Sequence, residues 1–277
     1  MSIPIFAPTR TESYDQCQLR DHLQNTLMLL PRQAGNALLG QLVGRAFAKG
    51  MSSFHTGTAV ADCTEQALDL FERSLVHYSQ HGVVFDKPVQ EMVDDSGLDT
   101  VLEKYAAENP FARWRILDVE RQLPDHGKCR IDIGGYDEDG LLAVGEAKYK
   151  RYLKADYESS TIAEYLCSWQ FMHYPWAYGD YRQENCYRIY LCLVVWKPRF
   201  YVKLVPHEVH PETQQIWLES AKAKWARMAQ RDHTVPEMST RHRDQYGWCP
   251  YYKACFQYHL DENQFGSDYA VVPRMQD

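Results

Sequence analysis

Apolar residues in the first part of the chain recur with the period of an α-helix. In residues 64–81 they stand three or four positions apart: Leu68, Phe71, Leu75 and Tyr78. This spacing predicts a helix with one buried face, and Gly82 follows it as a stop signal. A shorter helix is predicted for residues 98–107, because Asn109 and Pro110 disfavour its continuation.

The pattern changes between residues 114 and 196, where apolar residues alternate with polar ones or run continuously and include many β-branched and aromatic types. These runs predict four strands, at residues 115–122, 129–136, 141–150 and 188–196. A helix is predicted between the last two strands, at residues 161–174, and a final long helix at residues 212–230. This order of elements indicates an α/β fold in which helices pack against a mixed sheet.

The chain shows no internal repeat, no low-complexity segment and no linker rich in proline or glycine. Its 277 residues, 45% of them hydrophobic, are enough to build one large core. We therefore predict a single domain over residues 1–277 with a core at residues 45–200 and helical additions at both ends. The C-terminal addition is a helix and a cysteine-containing segment at residues 210–260.

The sequence carries no sign of a membrane or secreted protein. Its longest strongly apolar run, residues 190–196, is much shorter than the roughly 20 residues that span a bilayer. The N-terminal stretch MSIPIFAPTRTESYD lacks the basic and apolar regions of a secretory signal. We therefore expect a soluble cytoplasmic protein with no membrane partner, whose eight cysteines do not form a disulfide framework.

A net charge of -7 argues against a protein that coats nucleic acid through bulk electrostatics. Contact with phosphate needs only a local basic strip, and one is formed by Lys148, Lys150, Arg151 and Lys154. The alternative for this strip is an ordinary solvated surface.

The most informative stretch, residues 129–150, predicts a β-hairpin. Residues 137–140, Asp-Glu-Asp-Gly, supply turn chemistry between two strand-like runs. A two-residue turn at 138–139 or 139–140 would place Asp132 opposite Gly145 or Ala147. Glu146 is a near neighbour of Asp132 in both cases.

Two carboxylates on adjacent strands approach within roughly 5 to 8 Å, close enough to share one small cation. Hard oxygen ligands favour Mg²⁺ or Mn²⁺. Lys148 lies two residues beyond Glu146 on the same face, where it can orient a water molecule or stabilise charge on a phosphate. The alternative is an exposed ion pair, but the apolar run at residues 141–145 indicates that both side chains stand at the end of a buried strand.

Four short motifs occur in an order that resembles the RecB-like PD-(D/E)xK nuclease family, which includes CRISPR-associated RecB-like exonucleases and phage recombination exonucleases. They are a histidine after a small segment (KGMSSFH, residues 49–55), an RID strand (130–132), a GEAK strand (145–148) and a QFMHY helix (170–174). Each motif is weak alone, and their order carries the resemblance. It covers approximately residues 45 to 260.

This resemblance implies a restriction-endonuclease-like mixed sheet and a set of site residues. His55, Asp132, Glu146 and the backbone carbonyl of Ala147 would hold Mg²⁺ or Mn²⁺, and Lys148 would be catalytic. Gln170 and Tyr174, one helical turn apart, would support the site or contact DNA.

Two neighbours of the motifs leave alternatives open. Because Pro175 follows Tyr174 directly, the predicted helix either ends or kinks there. Glu120 either joins the metal shell or pairs with Arg121 or Arg130.

The implied function is hydrolysis of DNA phosphodiester bonds by an exonuclease in recombination or repair, beside a single-strand annealing protein or a helicase. Its location would be the cytoplasm, or the host cytoplasm if the chain is encoded by a virus. Three alternatives are a site-specific endonuclease, a catalytically silent DNA-binding or regulatory protein that retains the nuclease fold, and an unrelated α/β enzyme.

A second metal site is suggested by four residues near the chain ends: Cys17, His242, Cys249 and Cys255. In many RecB-like nucleases three C-terminal cysteines join an N-terminal one around a 4Fe-4S cluster, and here a histidine stands at one position. Such a set would hold a 4Fe-4S cluster or Zn²⁺. The alternative is that these cysteines are buried apolar residues. Burial is the preferred explanation for the remaining cysteines: Cys63, Cys129, Cys167, Cys186 and Cys192.

Overall fold

The computed structural model describes residues 5–6, 23, 27–32, 36–127, 129–230, 243–244, 247–248, 251, 268–273 and 275. Within these residues the architecture is mixed α/β, with a five-stranded sheet that has helices on both faces. The predicted α/β class is therefore confirmed. Among the described residues, no helix is both long enough and apolar enough to cross a membrane.

The helices are α1 (Asn36–His55), α2 (Val60–Gln80), α3 (Val89–Asp94), α4 (Leu98–Glu108), α5 (Glu158–Leu166), α6 (Trp169–Arg182) and α7 (Pro211–Gln230). The strands are β1 (Leu29–Pro31), β2 (Arg115–Leu123), β3 (Cys129–Tyr136), β4 (Leu142–Tyr152), β5 (Arg188–Lys197), β6 (Tyr201–Glu208), β7 (Arg243–Asp244), β8 (Gly247–Trp248) and β9 (Tyr269–Val271).

The central sheet has the order β2-β3-β4-β5-β6, and all neighbours are antiparallel except β4 and β5. Parallel neighbours need a long crossover, which α5 and α6 supply between β4 and β5. Strand β5 is buried along nearly its whole length, from Ile189 to Val195, because helices cover both of its faces.

Two apolar clusters hold the layers together. On one face of the sheet, α1, α2 and α4 contribute Phe47, Phe71 and Tyr105 to a cluster that includes Ile133 and Val194. On the other face, α6 packs against the sheet through a second cluster: Phe171, Ala177, Tyr178, Leu191 and Val195. The candidate site residues of β3 and β4 therefore lie in a sheet fixed from both sides.

All four predicted strands are present, and the structure adds elements that were not predicted. One is strand β6, which forms an edge of the sheet. Another is helix α1, which contains three glycines; the sequence indicated only a small glycine-containing segment there. Gly50 allows close packing, because a Cβ there would lie 2.6 Å from the end of the Leu102 side chain of α4.

The helix predicted at residues 161–174 is two helices, α5 and α6, separated at Cys167 and Ser168. Of the two alternatives at Pro175, an end of the helix or a kink, the first is wrong, since α6 continues to Arg182. Proline removes one backbone donor, but burial of Phe171, Pro175 and Tyr178 against the sheet offsets that loss.

The β3–β4 hairpin has a three-residue loop at residues 138–140, so the predicted two-residue turn was wrong. The Asp137 N–H donates to the Leu141 carbonyl at 3.0 Å, and Gly140 takes a left-handed conformation with φ of 75°. The resulting pairing joins Tyr136 to Leu142 and ends with Ile133 opposite Gly145. One further step in this register places Asp132 opposite Glu146.

The loop is held by the buried side chain of Asp137. Its Oδ1 accepts from the N–H groups of Asp139 and Leu141, each at 3.0 Å, and its Oδ2 accepts from Arg188 at 3.0 Å and Tyr190 at 2.9 Å. Burial raises the pKa of Asp137, but these hydrogen bonds lower it by more, so the pKa lies below its usual value.

We predict that Asp137→Asn lowers the free energy of unfolding by about 2 to 4 kcal/mol, because donors arranged around a carboxylate would meet an amide. Asp139→Asn is the matched control, since Asp139 contacts the same arginine from an exposed position, and it should cost less than about 1 kcal/mol. Urea denaturation at neutral pH measures both. Equal losses for the two variants would contradict this role of Asp137.

Candidate active site

Asp132 and Glu146 lie where the pairing of β3 and β4 ends. Beyond the pair Ile133 and Gly145, the Asp132 Oδ2 accepts a hydrogen bond from the Ala147 N–H at 3.0 Å. The carboxylate thus takes the place of a backbone acceptor at the point where the ladder stops. Both acidic side chains are buried, and Glu146 has an exposed fraction of only 3%.

Nearby charges and hydrogen bonds offset only part of the cost of burying the two carboxyl groups. Burial raises the pKa of Asp132 despite the opposing effects of the Lys148 ammonium and the Ala147 N–H. Burial also raises the pKa of Glu146, and the charge of Asp132 raises it further. The Glu146 Oε2 atom is buried and has no hydrogen-bond partner among the described residues. A cation at this position would relieve both the repulsion and the missing contact.

Lys148 contacts Glu146 from the same face of β4. Its Nζ donates to Glu146 Oε1 at 2.5 Å and to Gln170 Oε1 at 2.8 Å. Burial lowers the pKa of Lys148, but the carboxylates of Glu146 and Asp132 raise it by more, so the amine is an ammonium ion. The predicted Glu-x-Lys pair is therefore a largely buried ion pair, with side-chain exposed fractions of 4% for Glu146 and 22% for Lys148.

Gln170 and Tyr174 extend this network from helix α6. The Gln170 Nε2 donates to the Tyr174 hydroxyl oxygen at 2.6 Å, as their spacing of one helical turn allows. The amide of Gln170 thus accepts from Lys148 and donates to Tyr174, which fixes its orientation. Burial, followed by the charges of Glu146 and Asp132, raises the pKa of Tyr174 well above its usual value, so the hydroxyl stays neutral.

His55 lies at the end of α1 in an aromatic environment. Its Nε2 is 2.9 Å from the Tyr105 hydroxyl, its ring contacts Phe54 and Phe111, and burial lowers its pKa to about 4. Within the described part of the chain, no group of three or more His, Cys, Asp or Glu residues could hold a metal ion. The structure thus does not bring His55 together with the acidic pair, and its role as a ligand stays a prediction.

Glu120 approaches the site from strand β2 with a left-handed backbone, φ of 51°. Its Oε2 is 2.6 Å from the Arg130 Nε, and its Oε1 is 2.9 Å from the Ser52 hydroxyl. Of the two arginines considered from the sequence, Arg130 is therefore the partner. Burial and then the nearby charge of Asp132 raise the pKa of Glu120, although Arg130 opposes them. Backbone strain in a non-glycine residue, of about 1 to 3 kcal/mol, is common near functional sites.

The four residues of the predicted second metal site, Cys17, His242, Cys249 and Cys255, lie outside the described residues. Strands β1 and β9 pair with each other and join the two ends of the chain. The Tyr251 hydroxyl also donates to the Leu29 carbonyl at 2.7 Å. Strand pairing thus connects residues 29–31 to residues 269–271.

The remaining cysteines are free. Burial was expected for all five and is observed for four: Cys63, Cys129, Cys186 and Cys192. The expectation was wrong for Cys167, which is exposed because it lies at the break between α5 and α6.

A scan against protein-family models and a comparison with curated proteins both find no match to this chain. The interpretation of the site therefore rests on its geometry and on the order of its motifs.

The side chains present fit a small divalent cation with oxygen ligands. Magnesium is commonly bound by one or two carboxylates, with water and substrate phosphates completing the shell. Asp132 and Glu146 supply two carboxylates at one point, and the Glu146 Oε2 is available as a ligand. The set contains no thiolate, so a hard cation such as Mg²⁺ or Mn²⁺ is favoured over a soft one.

Because the pKa values of Glu146 and Asp132 are raised, the stability of the metal-free protein depends on pH. The stability contributed by proton binding is fully present below the usual carboxyl pKa and is lost as the pH rises through the raised folded values. We predict that, in EDTA, the free energy of unfolding falls by on the order of 1 to 3 kcal/mol between about pH 5 and about pH 8.

Glu146→Gln should flatten this slope, whereas Glu72→Gln, at an exposed position of α2, should leave it unchanged. Urea denaturation over a series of pH values measures the slope. A slope that Glu146→Gln does not alter would show that the pair is not protonated in this range.

Proposed function

We propose that this chain is a metal-dependent deoxyribonuclease of the RecB-like class with a restriction-endonuclease-like fold. One observation carries the proposal. Two buried carboxylates, Asp132 and Glu146, meet at the end of a strand pairing, where one carboxylate oxygen has no partner and Lys148 is fixed beside them. Burying two carboxylates in this way destabilises the metal-free protein. A purely structural role would not require this loss of stability, whereas a metal site would.

In this mechanism Asp132 and Glu146 would hold Mg²⁺ or Mn²⁺, and the Ala147 carbonyl and His55 are further ligands that the resemblance suggests. When bound, the metal supplies activation of a water molecule and stabilisation of charge on the phosphate. The Lys148 ammonium supplies a fixed positive charge for the oxygens of the scissile phosphate.

Gln170 and Tyr174 keep the Lys148 ammonium in place. Through Gln170 Oε1, helix α6 restricts the position of a side chain that four rotatable bonds would otherwise leave mobile. Tyr174 in turn holds the amide in the orientation that accepts from lysine. These two are positioning residues in the proposal, because their contacts run to Lys148.

The biological role that we propose is exonuclease action on DNA in recombination or repair, beside a single-strand annealing protein or a helicase. A cytoplasmic location, or the host cytoplasm for a virus-encoded chain, fits this role. A site-specific endonuclease would need sequence-reading elements that the sequence does not identify.

A catalytically silent DNA-binding protein is the second candidate function. The continuous contacts from Glu146 through Lys148 and Gln170 to Tyr174 support a catalytic role over this one, because they hold a cation beside the two carboxylates. The third alternative, an unrelated α/β enzyme with Glu146 and Lys148 as a surface pair, is disfavoured because the pair is buried.

We predict that the protein degrades DNA with Mg²⁺ or Mn²⁺ and not with EDTA. Asp132→Asn and Glu146→Gln should each reduce the rate on the order of a hundredfold or more, because each removes a charge that would hold the cation. Labelled linear and circular DNA distinguish an exonuclease, which needs an end, from an endonuclease.

The matched control for these variants is Glu138→Gln, an exposed carboxylate on the same hairpin. Lys148→Met should lose cleavage but keep the rise in melting temperature on adding Mn²⁺. Metal-dependent cleavage by the Asp132, Glu146 double variant at the parent rate would disprove the proposal.

A further prediction concerns the positioning residues. Gln170→Leu and Tyr174→Phe should lower kcat by about tenfold to a hundredfold with little change in KM, because a loosened Lys148 weakens charge stabilisation rather than binding. Phe171→Leu, on the same helix but in the apolar cluster, is the packing control. If Phe171→Leu and Gln170→Leu lowered the melting temperature equally and left kcat unchanged, both positions would serve packing alone.

A further inference from the structure

The candidate site is closed in this structure. Glu146 is 3% exposed and Asp132 is 9% exposed, and the Lys148 side chain keeps an exposed fraction of 22%. A phosphate group within a polynucleotide needs an opening at least as wide as the strand. Binding of a strand at Lys148 therefore requires that an element covering the site moves.

Two of the described helices lie against Lys148, and they are held to the sheet very differently. Helix α6 reaches Lys148 through Gln170 and is fixed by fully buried side chains, among them Phe171 and Tyr178. Helix α5 reaches Lys148 through Tyr165, whose ring centre is 5.7 Å from the Lys148 Nζ. The structure describes all nine residues of α5, and none of them is buried. A helix with so little buried surface separates from the sheet at a lower cost in free energy than α6.

Helix α5 is held along one side and at its first turn. Three of its side chains pack against the apolar cluster of α6 and stay partly exposed: Ile162, Tyr165 and Leu166. At the first turn, Glu158 accepts from the Lys203 ammonium at 2.5 Å and from the Tyr201 hydroxyl at 2.7 Å. The ion pair with Lys203 is partly exposed, so it contributes little in water.

Both ends of α5 are suited to act as hinges. Residues 154–157, which connect β4 to α5, are all exposed. At the other end, Cys167 and Ser168 separate α5 from α6, and Cys167 is exposed. The Ser168 side chain does not cap α6, and its hydroxyl has no hydrogen-bond partner among the described residues. Helix α5 can therefore move as a unit while β4 and α6 keep their places.

The ammonium group of Lys148 keeps one donor for a further ligand. It has three N–H donors, of which one goes to Glu146 and one to Gln170. In the described part of the chain, the third has no oxygen acceptor, and the ring of Tyr165 lies against the ammonium group instead. Because a phosphate oxygen attracts an ammonium group more strongly than a neutral ring does, a phosphate can replace Tyr165.

We infer that helix α5 is a lid over the candidate site, which opens so that a phosphate of the polynucleotide takes the place of the Tyr165 ring at Lys148. The inference rests on the proposed function, which supplies the strand. Because only the open form admits the phosphate, the apparent affinity for DNA is reduced in proportion to the fraction of molecules that are open. The strength of the contacts that close α5 therefore sets the affinity.

The first test is hydrogen exchange of the full chain in EDTA, followed by mass spectrometry. Amides of residues 158–166 should exchange at least about a hundredfold faster than those of residues 169–182, because α5 opens locally. Glu158→Gln removes the charge that pairs with Lys203 and should raise the exchange of α5 about twofold to fivefold, with that of α6 unchanged. Glu212→Gln, in the first turn of α7, is the matched control and should change neither rate.

The second test measures whether α5 covers Lys148. Acetylation of Lys148 by a small amine-reactive reagent is followed by mass spectrometry, with the exposed Lys222 of α7 as the reference. Tyr165→Leu removes the ring and should raise the rate at Lys148 at least about twofold, whereas Tyr165→Phe keeps the ring and should react as the parent does. Glu158→Gln should raise the rate by the same factor as it raises the exchange of α5.

With Mg²⁺ or Mn²⁺, Glu158→Gln should also lower KM for DNA by that factor and leave kcat unchanged, because a larger fraction of molecules is open. Exchange of α5 as slow as that of α6 would overturn the lid. So would acetylation of Lys148 that stays constant when the exchange of α5 rises. The proposed function fails separately: if α5 opened and exposed Lys148 but the protein cleaved no DNA with any metal, the nuclease proposal would fall and the lid would stand.

Discussion

The burial of two carboxylates at the end of one strand pairing is the constraint on which the rest of the site depends. Asp132 and Glu146 repel each other and lose hydration, and the Lys148 ammonium, the Ala147 N–H and the charge of Arg130 offset this only in part. Such an arrangement persists only where surrounding structure holds it. The sheet provides that support, since β4 and its neighbour β5 lie between helical layers that pack on both faces.

The ammonium group of Lys148, which lies beside these carboxylates, also depends on a contact from helix α6. A buried ammonium needs acceptors, and Lys148 finds one in Glu146 and a second in Gln170 on a different element. Helix α6 is in turn fixed by Phe171 and Tyr178 against the sheet. Apolar packing of α6 thus sets the position of a charge on β4, and the proposed chemistry depends on a helix that follows the strand in the chain.

Much of this arrangement was predictable because it is local. The two hairpin strands are revealed by alternation, and the turn residues between them bring Asp132 to Glu146 whichever nearby turn is chosen. The actual loop has three residues, which changes the register by one position, and one further step beyond the pair of Ile133 and Gly145 places Asp132 opposite Glu146. Helix α1 was not predicted because its glycines obscure the helical pattern of apolar residues. Edge strand β6 was not predicted because it is only partly buried, which weakens the alternation of apolar and polar residues.

The sequence by itself determined the hairpin of β3 and β4, the closeness of two acidic residues and the position of Lys148 on the face of Glu146, because turn chemistry and strand periodicity act over a few residues. Tertiary structure alone decided that Gln170 reaches Lys148, that His55 contacts Tyr105, and that α6 continues through proline. Each of these depends on packing between segments that are distant in the chain or on burial that offsets a local cost. A local pattern does not encode such contacts.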